Sequence, residues 1–180
     1  MRAHGHPELA VMASGLQVVK GNPSELDQGR KRLILVGVAA VVFVVDIASK
    51  VVANAALRNR YVDLPGPLDL RLAHNPGLAF SMGNNAPIWL VLTVTGAVAC
   101  AIAVAAWRGH FASAIAAGVV VGGAAANVAD RAQAGTVVDM LYTGWWPTFN
   151  LADVAVVCGG LALVVTGWRA GKHDASKTTP

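Results

Sequence analysis

Cysteine, charge and aromatic rings are all scarce in this chain of 180 residues. The two cysteines, Cys100 and Cys158, fall in different apolar stretches, with no CxxC spacing and no neighbouring histidine. They read as small buried hydrophobes rather than as redox or metal centres. The five histidines (His4, His6, His74, His110, His173) make no HExxH or other metal-ligating spacing, so no metal is expected. There is no Gly-x-Ser-x-Gly elbow to present a serine nucleophile. No internal repeat of the kind that builds many transporters is evident. Charged residues make up 13% of the chain, against about 25% in an average soluble domain. Hydrophobic residues make up 55%, and the mean hydropathy is +0.54.

What is present is long apolar runs. A bilayer crossing takes about 20 apolar residues, and four stretches qualify: Leu33 to about Leu57, Ile88 to Trp107, Phe111 to Ala129, and Phe149 to Trp168. The expected fold is therefore an all-α membrane protein of four transmembrane helices. Between the first two, the segment from Tyr61 to Arg71 partly alternates in polarity and is bent by Pro65, Gly66 and Pro67, which suggests short strands in a small extracytoplasmic β-like segment. Residues 1–29 have neither sustained periodicity nor the apolar core of a cleavable signal peptide, and are expected to form a disordered cytoplasmic arm. Residues 30–169 form the membrane domain, and residues 170–180 a polar cytoplasmic tail.

The basic residues set the expected orientation. Arg2, Lys20, Arg30, Lys31, Arg32, Arg108, Arg169, Lys172 and Lys177 fall on one side, whereas Arg58, Arg60, Arg71 and Arg131 fall on the other. Positive charge marks the cytoplasmic face, so both termini are expected inside. A pI of 9.4 needs no nucleic-acid partner, because these residues flank the spans rather than forming one patch.

Against this apolar background a few polar residues stand out. Asp139 and Asp153 lie 14 residues apart at the edges of apolar sequence. Ionisable residues in such places read as functional. Two carboxyls that share a site ionise unequally, which provides one general base and one general acid. The expected orientation brings Asp46, Lys50, Asn75, Asn127, Asp130, Arg131, Asn150 and the two aspartates to a single membrane–water boundary. Asp46 and Lys50 share a helix face as an ion pair. Gly118, Gly122 and Ala126 recur every four residues, which lets another helix approach closely. Arg131 offers a planar fork of donors to a carboxylate or a carbonyl. Asp130 is expected to pair with a basic neighbour.

In chain order the motifs are Asp46-Ile-Ala-Ser-Lys50, Asn75-Pro-Gly77-Leu-Ala-Phe80, Gly122-Gly-Ala-Ala-Ala-Asn127-Val-Ala-Asp130-Arg131, Val137-Val-Asp139-Met140 and Phe149-Asn150-Leu-Ala-Asp153. Together they resemble the lipoprotein signal peptidase family, the bacterial type II signal peptidases, over about Leu33 to Trp168. The resemblance implies an aspartic endopeptidase of the bacterial cytoplasmic membrane with Asp139 and Asp153 as catalytic dyad. It implies that Asn75, Gly77, Asn127, Arg131 and Asn150 bind substrate or orient the dyad, with Asp46, Lys50 and Asp130 in support. The implied substrate is a diacylglyceryl-modified prolipoprotein cut just before the lipid-bearing cysteine. Membrane lipid and globomycin-type inhibitors are the other implied partners, and no cofactor is implied. Three positions depart from the family pattern: Met140 replaces an aromatic or larger aliphatic residue, and Ala125-Ala126 replace Leu-Gly.

Overall fold

The computed structural model describes residues 23–76 and 88–177. Gly77, expected at the site, and most of the N-terminal arm lie outside the described residues. Four helices carry the chain: α1 (Pro23–Ala56), α2 (Ile88–Trp107), α3 (Ala114–Ala134) and α4 (Leu151–Lys177). Three strands join them, β1 (Val62–Asp63), β2 (Asp69–Asn75) and β3 (Val137–Tyr142), in one antiparallel sheet of order β1-β2-β3. The four apolar stretches and the four helices coincide. The ends differ. Helix α1 begins at Pro23 and α4 runs to Lys177, so helix replaces part of the expected arm and most of the expected polar tail. Charged residues end a hydropathy plateau without ending a helix, since Lys, Arg and Glu are good helix formers.

Helix α3 is central and packs against α1, α2 and α4. Its small residues make this possible. A Cβ on Gly122 would lie 2.5 Å from the Ala39 carbonyl oxygen of α1, and one on Gly118 would lie 2.8 Å from that of Leu35. On a different side of α3, a Cβ on Gly123 would lie 2.7 Å from the Ala152 carbonyl oxygen of α4. Two backbones therefore approach α3 more closely than side chains would allow, as small-residue faces permit. The helix is closed at both ends. Ser113 accepts a hydrogen bond from the Ala116 N–H at 3.2 Å, and Gly135, with φ of 72°, donates its N–H to the Arg131 carbonyl at 2.9 Å.

The sheet lies across one end of this bundle. Val62 pairs with Leu70 and Asp63 with Asp69, around the Pro65-Gly66-Pro67 bend expected from the sequence. Strand β3 was not anticipated. It arrives from between α3 and α4 and pairs with β2 from Asp69↔Tyr142 to Asn75↔Val137, with an irregularity between Leu70 and Ala73. The sheet rests on the last turns of α1 through Ala53, Leu57 and Met140, with Leu70, Leu72 and Leu141 packed around them. Met140 is thus a core side chain, which accounts for an aliphatic residue at that position.

Burial is inverted relative to a water-soluble domain. Asp46, Lys50, Asn75, Asn127, Arg131, Asp139 and Asn150 are buried, whereas Val41, Val44, Val51, Leu161 and Val164 each expose more than half their surface. Cys100 and Cys158 are also exposed, contrary to the expectation that they are buried. Among the described residues, two helices, over Leu26–Ala56 and Leu151–Lys172, are long and apolar enough to cross a bilayer.

The close approach of α3 to α1 yields a stability prediction. Gly122→Ala gains about 1 kcal/mol in helix propensity but forces a contact for which overpacking costs about 1–3 kcal/mol. It should lower the thermal midpoint in detergent. Gly160→Ala, where no heavy atom lies within 4 Å, should leave the midpoint unchanged or raise it.

Candidate active site

Each polar residue is carried to the centre by a different element. Lys50, from α1, places its Nζ 2.6 Å from Asp46 Oδ2, 2.8 Å from Asp130 Oδ2 and 2.9 Å from Asn127 Oδ1. The contact to Asn127 has hydrogen-bond geometry, and the two carboxylates complete the charge balance as ion pairs. The partner expected for Asp130 is therefore Lys50, across two helices. An ammonium donates and never accepts, so it holds the oxygen of the Asn127 amide. The Asn127 nitrogen then faces the other way and donates to Asp153 Oδ1 at 2.8 Å.

Asp153 is held from a second direction by the start of its own helix. Asn150 Oδ1 accepts the Asp153 N–H at 2.9 Å, and Asp153 Oδ2 accepts the Asn150 N–H at 3.2 Å. This reciprocal pair is a capping box. Asp46 holds the same turn from outside the helix, its Oδ1 accepting the Ala152 N–H at 2.7 Å. Helix α1 thus fixes the backbone beside Asp153 directly and its side chain through Asn127.

Asp139 comes from β3 and is only 1% exposed. Its Oδ1 accepts Asn150 Nδ2 at 2.7 Å, and its Oδ2 accepts Asn75 Nδ2 at 3.3 Å. Asn75 reaches it diagonally across the sheet, since the residue directly opposite Asp139 is Ala73. Asn150 therefore touches both carboxylates. Arg131 is buried nearby, its Nη1 3.5 Å from the Asn127 carbonyl oxygen. His74, one residue before Asn75, is exposed and meets Asn54 Oδ1 at 3.2 Å.

Two apolar cavities meet at Asp153. One, of ≈ 320 Å³, lies between α2, α3 and α4, walled by Val94, Val98, Ile102 and Val156, with Asn127, Arg131 and Asp153 also on its lining. The other, of ≈ 420 Å³, lies under the loop after β3 and is lined by Trp145, Trp146, Phe149 and Val157. The site is thus a pair of carboxylates in a polar centre that opens onto apolar walls.

Every expected site residue within the described segments is gathered here: Asp46, Lys50, Asn75, Asn127, Asp130, Arg131, Asp139, Asn150 and Asp153. The sequence did not reveal that the Ala152 N–H takes part. Backbone donors have no sequence signature, although an acid four residues before Lys50 on a neighbouring helix is compatible with one.

The structure defines a helical bundle, polar inside and apolar outside, with two carboxylates at one end, and its fold is that of a solved bacterial membrane enzyme. That structure, obtained by the in meso method at 2.3 Å resolution, superposes with a TM-score of 0.65 over 84% of this chain and 92% of its own, at 22% identity. Residues 38–169 match the family model of signal peptidase (SPase) II, and the chain belongs to that family. It is 38% identical over 144 residues to the lipoprotein signal peptidase of Rhodococcus jostii, covering 76% of this chain and 73% of the relative. It is also 34% identical over 153 residues to that of Streptomyces griseus, covering 81% and 78%.

Burial pushes the Asp139 carboxyl up from the ordinary 3.8 to about 6. The hydrogen bond from Asn150 opposes the rise, the charge of Asp153 adds to it, and Asn75 again opposes it. The folded chain then holds this proton more tightly than the unfolded chain. The resulting stabilisation is full below a pH of about 3.8 and is lost as pH rises through about 6. Asp139→Asn cannot titrate. Between a pH of about 4 and about 7, wild type should therefore lose thermal stability relative to Asp139→Asn. Parallel curves for the two proteins would show that burial does not perturb Asp139.

Proposed function

We propose that this chain is a membrane aspartic endopeptidase that removes the signal peptide from diacylglyceryl-modified prolipoproteins, cutting before the lipid-bearing cysteine, with Asp139 and Asp153 as its catalytic pair. Membership of the signal peptidase II family supports the activity. The observation that carries the residue assignment is Asn150, whose amide donates to Asp139 while it shares a capping box with Asp153.

The pair divides its protonation states. Asp139, deeply buried, is favoured to hold the proton, while Asp153 accepts hydrogen bonds from the Asn127 amide and the Asn150 N–H. The ionised member takes a proton from water as its oxygen attacks the scissile carbonyl, and the protonated member donates to the developing oxyanion. As the tetrahedral diol collapses, the newly protonated member gives its proton to the leaving amine and a diol hydroxyl returns one to the other member, so that hydrolysis consumes one water and restores the starting state. The pair titrates as a unit, so apparent pKa values belong to both carboxyls together. Arg131 and Asn75 hold the substrate backbone. The cavity between α2 and α4 takes the apolar signal segment. The cavity beneath Trp145 and Trp146 takes acyl chain. Globomycin-type inhibitors would occupy the same ground.

All four helices cross the membrane in this reading, with the sheet and the carboxylates at the extracytoplasmic face and both termini cytoplasmic. The buried polar centre and exposed valines support that placement, as does the excess of Lys and Arg on the opposite side. A proton-coupled transporter would also keep acids in membrane helices, but it would be expected to hold them near the midplane between repeated halves. Here they gather at the end of the bundle covered by the sheet.

Two experiments test the reading. Asp139→Asn and Asp153→Asn should each reduce turnover of a lipid-modified substrate, per folded molecule, by at least about a thousandfold, because loss of either member disables the whole unit. Asp46→Asn should instead lower thermal stability, since breaking a buried ion pair costs about 3–5 kcal/mol. Near wild-type turnover in Asp153→Asn would sink the assignment. For topology, a reporter fused after Pro180 should be cytoplasmic and one inserted near Gly66 extracytoplasmic. The opposite pattern would place the carboxylates on the wrong side.

A further inference from the structure

A second cleft, of ≈ 620 Å³, lies between the C-terminal end of α1 and β2, away from the carboxylates. Arg58, Arg60, Tyr61, Arg71 and His74 stand on its wall. Neighbouring residues of β2 serve the two places, for His74 lines this cleft whereas Asn75 donates to Asp139.

Three guanidiniums meet here, and they are not equivalent. Arg71 is already engaged, 3.5 Å from Asp69 and stacked 4.3 Å from the Tyr142 ring centroid and 5.5 Å from that of Tyr61. Arg60 donates its Nε to the Ala56 carbonyl at 2.7 Å, which folds the side chain back over the helix end. Among the described residues, no carboxylate lies within ion-pair distance of Arg58 or Arg60. Both are exposed, as an ammonium or guanidinium awaiting an anion would be.

The neighbouring surface is apolar. Within two turns back along α1, Val51 and Val52 are each 64% exposed, and Ala55 is exposed as well. Ala55 and Ala56 also join Arg58, Asn59 and Arg60 in lining an adjoining hollow of ≈ 580 Å³. A cationic hollow at the end of an apolar strip suits a molecule with an anionic head and hydrocarbon tails. A free phosphate would use the arginines and leave the strip unexplained.

We propose that this cleft binds the phosphate-bearing headgroup of an anionic membrane phospholipid, held by Arg58 and Arg60, with acyl chain lying along Val51, Val52 and Ala55. The site rests on the membrane placement described above, at the same boundary as the carboxylates. It would anchor the end of α1 and the back of β2, the two elements that carry Lys50 and Asn75 to the polar centre.

Native mass spectrometry of the full chain in neutral detergent, titrated with phosphatidylglycerol or phosphatidylcholine, tests this directly. Wild type should retain phosphatidylglycerol preferentially, and Arg58→Gln with Arg60→Gln should lower that retention about thirtyfold, in keeping with the contribution of each arginine beside an anionic lipid. Inorganic phosphate should not displace the lipid. Equal retention by wild type and variant, or no preference between the two lipids, would overturn the proposal. Displacement by inorganic phosphate would also overturn it and point to a free-anion site. Should the double variant unfold, the single Arg58→Gln change carries the comparison, with about a fivefold loss expected. Alkaline extraction of membranes from expressing cells separates the two premises. Release of wild type into the soluble fraction defeats the membrane placement, whereas retention without lipid preference defeats the headgroup site alone.

Discussion

The Lys50 ammonium, 3% exposed and within 2.9 Å of Asp46, Asp130 and Asn127, is the contact around which the polar centre is arranged. A charge so far from water is tolerated only when it is paired and hydrogen-bonded, because desolvation costs several kcal/mol per ion. Those partners are then constrained in turn. Asn127 must offer Lys50 its oxygen, which leaves its nitrogen for Asp153. Asp46 spends one oxygen on Lys50 and keeps the other for the Ala152 N–H. One cation on α1 thereby directs two contacts at the start of α4, across a helix contact that Gly118 and Gly122 keep close. Helix packing and site geometry are the same constraint at two levels.

The inverted burial follows from the same source. A bundle that concentrates its hydrogen-bonding groups at one end can leave the rest of its surface to valine, leucine and alanine. In water such a surface would drive association. Against hydrocarbon it costs nothing, and the buried polar centre is shielded by the helices around it. The proposed chemistry benefits from this shielding, since a carboxyl held away from water keeps its proton at a higher pH. Asp139 illustrates the point: burial lifts it to about 6 even though two amides donate to it. The cavities beside Asp153 are apolar for the same reason, and they suit a substrate delivered from within the bilayer.

Much of this was legible in the sequence because the strongest signals are local. Apolar runs of about 20 residues located all four helices, and the four-residue steps of Gly118 and Gly122 anticipated a close helix contact. Asp46 and Lys50 announced their ion pair by spacing alone. The polar residues around Asp139 and Asp153 could be assembled from their positions at the ends of the runs. The features missed depend on contacts distant in sequence. Strand β3 exists because β2 pairs with it, and six residues with two polar members carry no strong pattern of their own. The link from Asp46 to the Ala152 N–H spans 106 positions and uses a backbone group. The true ends of α1 and α4 were hidden because hydropathy falls where charges begin, whereas helical hydrogen bonding continues. The exposure of Cys100 and Cys158 was misjudged by applying a rule for water-soluble cores to helices whose apolar faces point outward.

The central claim is that Asp139 and Asp153 form one titrating unit that carries a single proton in its working state. Infrared titration of the carboxyl stretch in the purified protein tests this most directly, because it observes the proton rather than the product. A protonated-carboxyl band should persist above the ordinary aspartate range and disappear near a pH of about 6. Asp139→Asn should abolish that band, and Asp153→Asn should move its midpoint to lower pH by removing the neighbouring negative charge. A spectrum in which every carboxyl is already ionised at a pH of about 5, or a midpoint in Asp153→Asn that matches wild type, would contradict a shared proton and with it the paired mechanism.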